Sequence, residues 1–479
     1  MNAAPGVAPG AQGAAPPEAT GARAVFAIAW PMIVSNVSVP LLGLVDAAIL
    51  GHLPDARYLG AVAVATTLFG FLFWGFGFLR MGTTGLVAQR FGMTVTDATA
   101  RRARDAALRL LLAQGVLLAA VLGALVLLLT PLLFPLGVAV MAPPAEAAAE
   151  ADVYWRIRMW SAPAVLATYA VTGFLVGLGD TRSVLLVTVA TNVVNILLDL
   201  GLVLGVGLRT EGVAAASLVA EWSGCALALW CARRALAAHP ARVDRAALLD
   251  LDRYRELFAV NGHLFVRTLV LTGSLAFFTA QGARQGDVVL AANALLMNLL
   301  MFTSYGLDGF AHAAEALAGR AYGAGDRRAF TRSVGAATVF SLLTAALFSA
   351  AFLLAGEAIL GLLTDLPDVL ELAAVYLPWL AWLPLVALWC YLLDGVFIGL
   401  TATRAMRDTM IVAAACVYLP LWWLTRELGN HGLWLALYGF FAVRGLGLGV
   451  LYLRGLRSGR WFGGGQSEPE AASPEGLRG

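Results

Sequence analysis

Apolar runs of about 20 residues, separated by short charged segments, recur from near the start of the chain to residue 457. Each is long enough to cross the hydrocarbon core of a bilayer as a helix. A transmembrane β-barrel would instead show short segments of alternating polarity. The runs predict twelve spans at 24–50, 58–80, 105–130, 151–177, 183–207, 211–236, 254–281, 287–319, 329–356, 368–400, 407–427 and 431–457. The spans at 287–319 and 368–400 exceed the bilayer thickness, so their ends should project from it.

Composition agrees with an all-α integral membrane protein. Of 479 residues, 60% are hydrophobic and 13% charged, about half the charged share of a soluble domain. Every basic residue outside histidine is arginine. With the N-terminus inside, the inner segments hold twenty-two arginines and the outer loops six, the bias of a chain with both termini cytoplasmic. Residues 1–23 are rich in Ala, Gly and Pro, lack the basic start and apolar core of a cleaved signal, and are expected to be disordered, as is the polar tail 458–479. The charged segment 237–253 divides six spans (an N-lobe, 24–236) from six (a C-lobe, 254–457).

The two halves echo one another. Gly173–Arg182 reads GFLVGLGDTR and Gly395–Arg404 reads GVFIGLTATR, an offset of 222, both at a short inner loop. A weaker echo, at an offset of 231, links LVAQRFG (86–92) to LAGRAYG (317–323). An even number of crossings separates the matching segments, so the repeats are parallel and related by an axis along the membrane normal. Two pseudo-symmetric lobes around a central cavity follow.

Against this apolar background a few polar residues stand out. Asp46 lies in the first span, and Asn192, Asn195 and Asp199 share one face of the fifth. A carboxylate at such depth costs about 3 kcal/mol or more, so it faces protein or a cavity and is a functional candidate. The Asn195/Asp199 pair suits a proton or Na⁺ site, because a carboxamide can donate to an ionised acid or accept from a protonated one. A structural bond between helices is the alternative. Asp46 follows Pro31 and Pro40, which bend a helix, and so sits where protonation could switch its partners; the alternative is an acid near the outer interface. The matching C-half positions are Ala276, Val417 and Leu421, so the cluster belongs to the N-half alone. Tyr154, Ser217 and Glu221 could reach the same cavity from the fourth and sixth spans, but polarity alone does not single them out.

A second group lies in the C-half. Asp308, His312 and Glu315 share a face of the eighth span, and Arg267, Asp394 and Arg444 are further intramembrane charges. The trio could hold a metal, but no other ligand has matching spacing, so pairing with Arg267 or Arg444 is favoured. The trio could also gate the inner mouth. Cys225, Cys231, Cys390 and Cys416 show no metal or redox spacing and read as small apolar residues. The sequence has no phosphate-binding loop, dinucleotide fingerprint or nucleophile–base set, so transport would draw on an ion gradient.

The segments LLGLVDAAILGHL, GFLVGLGDTR, NVVNILLDLGLVLGVGL, SYGLDGFAHAAEALAGRAYGAGDR and LDGVFIGLTATRAMRDTM together resemble the multidrug and toxic compound extrusion (MATE) transporters, specifically the bacterial DinF subfamily, over residues 24–457. The resemblance implies two six-helix lobes exporting amphipathic, often cationic, compounds in exchange for H⁺ or Na⁺. It assigns the N-lobe cavity acids to Asp46 and Asp199, their amide to Asn195, a tyrosine to Tyr154, a hydroxyl to Ser217 and the bend of the first helix to Pro31. The acids that other branches carry in the seventh helix are absent.

The expectation is therefore an H⁺-coupled antiporter of the bacterial inner membrane, with Na⁺ as the other coupling ion the residues allow. It would be a monomer in the lipid bilayer, acting on small organic substrates, with no cofactor, no metal and no nucleic-acid partner, and it would not be an enzyme. A flippase for lipids or lipid-linked sugars would favour a cavity richer in arginine. A membrane enzyme would need a clustered metal or nucleophile set.

Overall fold

The computed structural model describes residues 21–51, 56–241 and 245–462. Among these there is no strand. Eleven helices are long and apolar enough to cross a membrane. The N-lobe helices are α1 (Ala22–Gly51), α2 (56–92), α3 (Ala98–Met141), α4 (Ala145–Gly177), α5 (Thr181–Gly205) and α6 (Thr210–Ala237). The C-lobe helices are α7 (Arg255–Ala283), α8 (Asp287–Gly323), α9 (Arg327–Leu363), α10 (Pro367–Gly399), α11 (403–424) and α12 (Asn430–Arg457).

Each expected span is met by one of these helices. The largest differences are α3, which begins seven residues before and ends eleven after the span expected at 105–130, and α2, which continues twelve residues beyond the expected end at 80. A single 3-10 turn at Gly75–Gly77 re-aims it without ending it. The eleventh span, α11, is less apolar than the others, and its middle turn, Ala413–Tyr418, is π-helical. The tail also begins later than expected. Trp461 and Phe462 pack on Phe330, and Trp461 on Tyr452, so burial of two aromatic rings fixes the chain to Phe462. The remaining ends, 1–20 and 463–479, lie outside the described residues.

The repeat read from the sequence has a physical basis. A Cβ on Gly395 would lie 2.3 Å from the Ala311 carbonyl oxygen, and one on Gly399 2.5 Å from that of Glu315. In the N-lobe, Gly173 meets the Arg80 carbonyl at 2.4 Å and Gly177 the Thr84 carbonyl at 2.8 Å. Arg80 and Thr84 are related to Ala311 and Glu315 by the same offset of 231. Each G-x-x-x-G therefore seats one helix directly on its neighbour's backbone, α4 on α2 and α10 on α8, as small residues do between membrane helices. These two seated helices have the most buried apolar windows, 78% for α4 and 72% for α10. Equivalent helices on the outside carry the lipid-facing side chains, such as Leu128 on α3 and Leu354 on α9. Equivalent N-caps start them: Asp97 accepts from Ala100 N at 2.7 Å, and Asp326 from Ala329 N at 2.8 Å.

The lobes meet along α1, α2, α8 and α10. Gly92 at the end of α2 sits on the Arg320 carbonyl, and Gly323 at the end of α8 sits on the Gln89 carbonyl. These are reciprocal contacts across a pseudo-twofold axis, since 89 and 320, like 92 and 323, differ by 231. Gln89 Nε2 donates to Gly399 O (2.8 Å) and Thr401 Oγ1 (3.1 Å), and Arg90 pairs with Glu256 (3.2 Å). The described hydrogen bonds between lobes all lie between mid-helix, where Asn36 donates to Tyr305 O at 3.4 Å, and this arginine-rich face.

Candidate functional site

Two buried polar clusters follow from this packing. The first is in the N-lobe. Asp199 is fully buried, and Asn195 and Ser217 nearly so. The Asn195 carboxamide spans its two neighbours: with its nitrogen towards the acid it donates to Asp199 Oδ2 at 3.3 Å and accepts from Ser217 Oγ at 3.2 Å. One turn back along α5, Asn192 donates to Ser38 O (3.2 Å) and lies 3.3 Å from its hydroxyl, while Ser35 donates to Thr188 (2.8 Å). These bonds fasten α1 along α5. Tyr154 is buried beside Val203 and Val213, one turn from Asp199 and Ser217 respectively, and accepts a bond from Thr66 at 3.4 Å. Glu221 points elsewhere, pairing with Arg158 at 3.4 Å. Pro31 is buried within α1. Asp46 belongs to the same helix, but its side chain lies outside the described residues.

The second cluster faces a cavity of about 440 Å³ between α1, α2, α4 and the C-lobe. The expected partners of the trio were Arg267 and Arg444; the structure gives them to Asp394 instead. Both guanidinium groups reach Asp394 Oδ2, Arg444 at 2.9 Å, and Arg444 also lies over the Phe440 ring at 5.3 Å. His312 and Glu315 pair with one another at 3.2 Å, and the cation beside them is Arg80 of α2. Arg80 Nη1 lies 3.1 Å from His312 Nδ1 and 3.4 Å from Nε2. Asp308 lines the same cavity without joining either pair. No group of three His, Cys, Asp or Glu among the described residues could hold a metal ion. Sequence reasoning passed over Arg80; its signal was an arginine within an apolar run, GFGFLRMGTTG, that was read as a span end.

The MatE family model matches residues 31–200 and 264–424, the greater part of both lobes. The chain belongs to the MATE transporter family. It is 42% identical over 440 residues to the DNA damage-inducible protein F of Escherichia coli (strain K12), covering 92% of this chain and 94% of that protein. The fold matches the Vibrio cholerae MATE transporter VcmN in its bent form, with a TM-score of 0.80 at 21% identity, covering 92% of this chain and 98% of that one. It also matches the outward-facing conformation of a multidrug resistance MATE family transporter, with a TM-score of 0.78 at 18% identity and coverage of 92% and 97%. As a MATE protein it is a multi-pass transporter for multidrug and toxic compound efflux, not an enzyme, and it needs no cofactor.

Proposed function

We propose that this MATE protein is a proton-coupled antiporter. It exports small amphipathic organic compounds across the bacterial inner membrane, as a monomer with both termini in the cytoplasm, and its N-lobe provides the coupling site. The observation that carries this reading is the fully buried Asp199 carboxylate held beside a neutral carboxamide, at a position where the other lobe has leucine. Asn195 can serve Asp199 in either protonation state, so a proton can come and go without stranding a polar group. Asp46, carried on α1 with its internal Pro31 and Pro40, is the second acid. Its protonation together with Asp199 from outside closes α1 against α5, as the Ser35–Thr188 and Asn192–Ser38 bonds already do here. Cargo then leaves, and deprotonation towards the cytoplasm reopens the pocket. Tyr154 and Ser217 shape that pocket.

The 440 Å³ cavity has the size of a small-molecule site and offers both charge signs among apolar walls, which supports amphipathic cargo of either sign, cationic compounds included. Three arginines face it, the feature expected of a flippase for lipid-linked sugars. Two of them are engaged by Asp394, however, and the volume favours the smaller cargo. The test is efflux of a fluorescent amphipathic cation and a fluorescent amphipathic anion from proteoliposomes, with pH and Na⁺ gradients imposed independently. A pH gradient alone should drive export, and Asp46→Asn and Asp199→Asn should each abolish it while eluting as folded protein. Full transport by either variant overturns the N-lobe assignment, and export that follows only the Na⁺ gradient replaces the proton with sodium.

A further inference from the structure

We infer that His312 is a second proton-binding group, in the C-lobe, and that its charge controls a latch between the lobes formed with Arg80. This inference rests on the antiporter reading for its place in a cycle, but not for its chemistry. Arg80 belongs to α2 of the N-lobe and His312 to α8 of the C-lobe, so their contact spans the seam that must part when the cavity opens to the arginine-rich face.

The contact selects the neutral ring. A neutral imidazole carries one N–H and one lone pair, and Arg80 Nη1 is within 3.4 Å of both ring nitrogens, so a guanidinium N–H reaches whichever one accepts. An added proton removes that acceptor and sets two cations face to face. The charged ring keeps a partner on the other side, because Nδ1 lies 3.2 Å from Glu315 Oε2. Glu315 is 1% exposed, and its Oε1 has no hydrogen-bond partner in the structure, so an unspent buried acceptor already waits beside the ring. The neutral ring with its proton on Nδ1 donates to Glu315 and still accepts from Arg80 at Nε2; a second proton, on Nε2, removes that acceptor. Protonation therefore breaks the inter-lobe bond and leaves the one within α8. Histidine is the side chain suited to this between about pH 5 and 8.

Other charged and titratable groups around the ring come from every neighbouring helix that has one. They are Tyr305 and Asp308 on α8, Tyr169 on α4, Arg267 on α7, Tyr391 and Asp394 on α10, and Arg444 on α12. Neither 24–45 of α1 nor 333–356 of α9 carries a titratable side chain. Arg267 and Arg444 are held by Asp394, which leaves Arg80 as the cation that His312 meets directly. Acidification from the outer side would thus release the seam on the inner side, the order that an exchange of entering protons for leaving cargo requires.

The experiment uses full-length protein in lipid nanodiscs, with the exposed Cys416 replaced by serine. Spin labels go at Arg101→Cys and Arg404→Cys, exposed positions on the arginine-rich face of opposite lobes. Electron–electron distance measurements from about pH 8 to pH 5 should show a longer inter-lobe distance whose population rises at least tenfold in the wild type. His312→Gln, which keeps a donor and an acceptor but cannot charge, should stay in the short-distance state throughout. Arg80→Gln, which removes the repelling cation, should also lose the pH response, and the double variant should lose nothing more. An unchanged pH response in folded His312→Gln, or additive effects in the double variant, overturns the inference. Transport by Asp199→Asn, measured separately, decides the N-lobe reading, so either can fail while the other stands.

Discussion

The N-lobe and C-lobe clusters are built from similar materials to opposite ends. Asp199 lies eighteen residues along α5 from the arginine-rich face, about 27 Å at helical rise, whereas His312 lies eleven residues from that face along α8, about 16 Å. The N-lobe cluster is buried and pairs an acid with an amide and a hydroxyl. The C-lobe cluster faces a cavity and ties its charges to one another, with Asp394 between two guanidinium groups and His312 between Arg80 and Glu315. The difference lies in what remains when one group loses its charge. A neutralised Asp199 leaves its amide and hydroxyl neighbours still able to bond, so the N-lobe cluster tolerates a proton. A neutralised Asp394 leaves two buried cations, so that triad is fixed architecture beside His312, the group proposed to change its charge.

Stability measurements can break this contrast. Asp394→Ala removes the shared partner of Arg267 and Arg444, both nearly buried, and should destabilise the fold by about 3–5 kcal/mol, the usual effect of orphaning buried charges. Asp199→Asn is nearly isosteric and should change stability by about 1 kcal/mol or less while removing transport. Thermal unfolding in detergent, followed by tryptophan fluorescence, compares the two. Equal losses would mean that the N-lobe acid is as structural as its counterpart.

A second pair of variants tests whether the lobes share their packing rather than their chemistry. Gly173→Ala and Gly395→Ala each place a Cβ within 2.4 Å of a neighbouring backbone oxygen, with no flexible side chain there to yield. Each should cost about 1–3 kcal/mol by forcing helices apart, and the two costs should match. Gly335→Ala, where a Cβ would meet nothing within 4 Å, is the control and should melt no lower than the wild type. A large loss in one lobe alone would show that the repeat is sequence likeness without shared mechanics.

These contrasts also mark what the sequence made legible. Apolar runs announced the spans because hydrophobic length alone decides them, and the G-x-x-x-G-L-x-x-T-R echo announced the repeat, whose glycines the structure explains by close backbone approach. The pairing of charges was not legible. Asp394 shows no sequence relation to Arg267 or Arg444, which lie 127 and 50 residues away, and Arg80 meets His312 across 232 residues. Such partners are set by which helix faces meet, and helical periodicity fixes faces only within one helix. The same limit applied in the N-lobe, where Asn195 and Asp199 were readable as neighbours on α5, but Ser217 became their partner only once α6 was packed against them.

Ser217→Ala should have a moderate effect. It removes a buried partner of Asn195 and leaves the amide free to turn wholly towards Asp199. About 1 kcal/mol of stability should go with the hydrogen bond, with efflux slowed several-fold rather than abolished. Initial rates across a series of external pH values separate this from loss of the acid itself, because Ser217→Ala should retain the dependence on the pH gradient that Asp199→Asn lacks. A flat profile in Ser217→Ala would move the hydroxyl from a supporting part to an indispensable one.

The smallest effect is expected where the repeat is least symmetric. After α4 the left-handed turn residue is Gly179 (φ +66°), and after α10 its counterpart is Thr401 (φ +51°). A β-branched residue in that region carries strain on the order of 1–3 kcal/mol, and its position between the lobes offers a reason: the Thr401 hydroxyl accepts from Gln89. Gly179 has the opposite constraint, since the guanidinium of Arg320, the counterpart of Gln89, would lie 2.3 Å from any Cβ there. Thr401→Gly should therefore relieve strain while removing one bond, leave the melting temperature within a few degrees, and keep Gln89 attached through Gly399 O at 2.8 Å. Gly179→Thr should add strain and displace Arg320, and melt clearly lower. A Thr401→Gly protein that melts as low as Gly179→Thr would show that the threonine hydroxyl, rather than the backbone beneath it, holds the lobes together at this face.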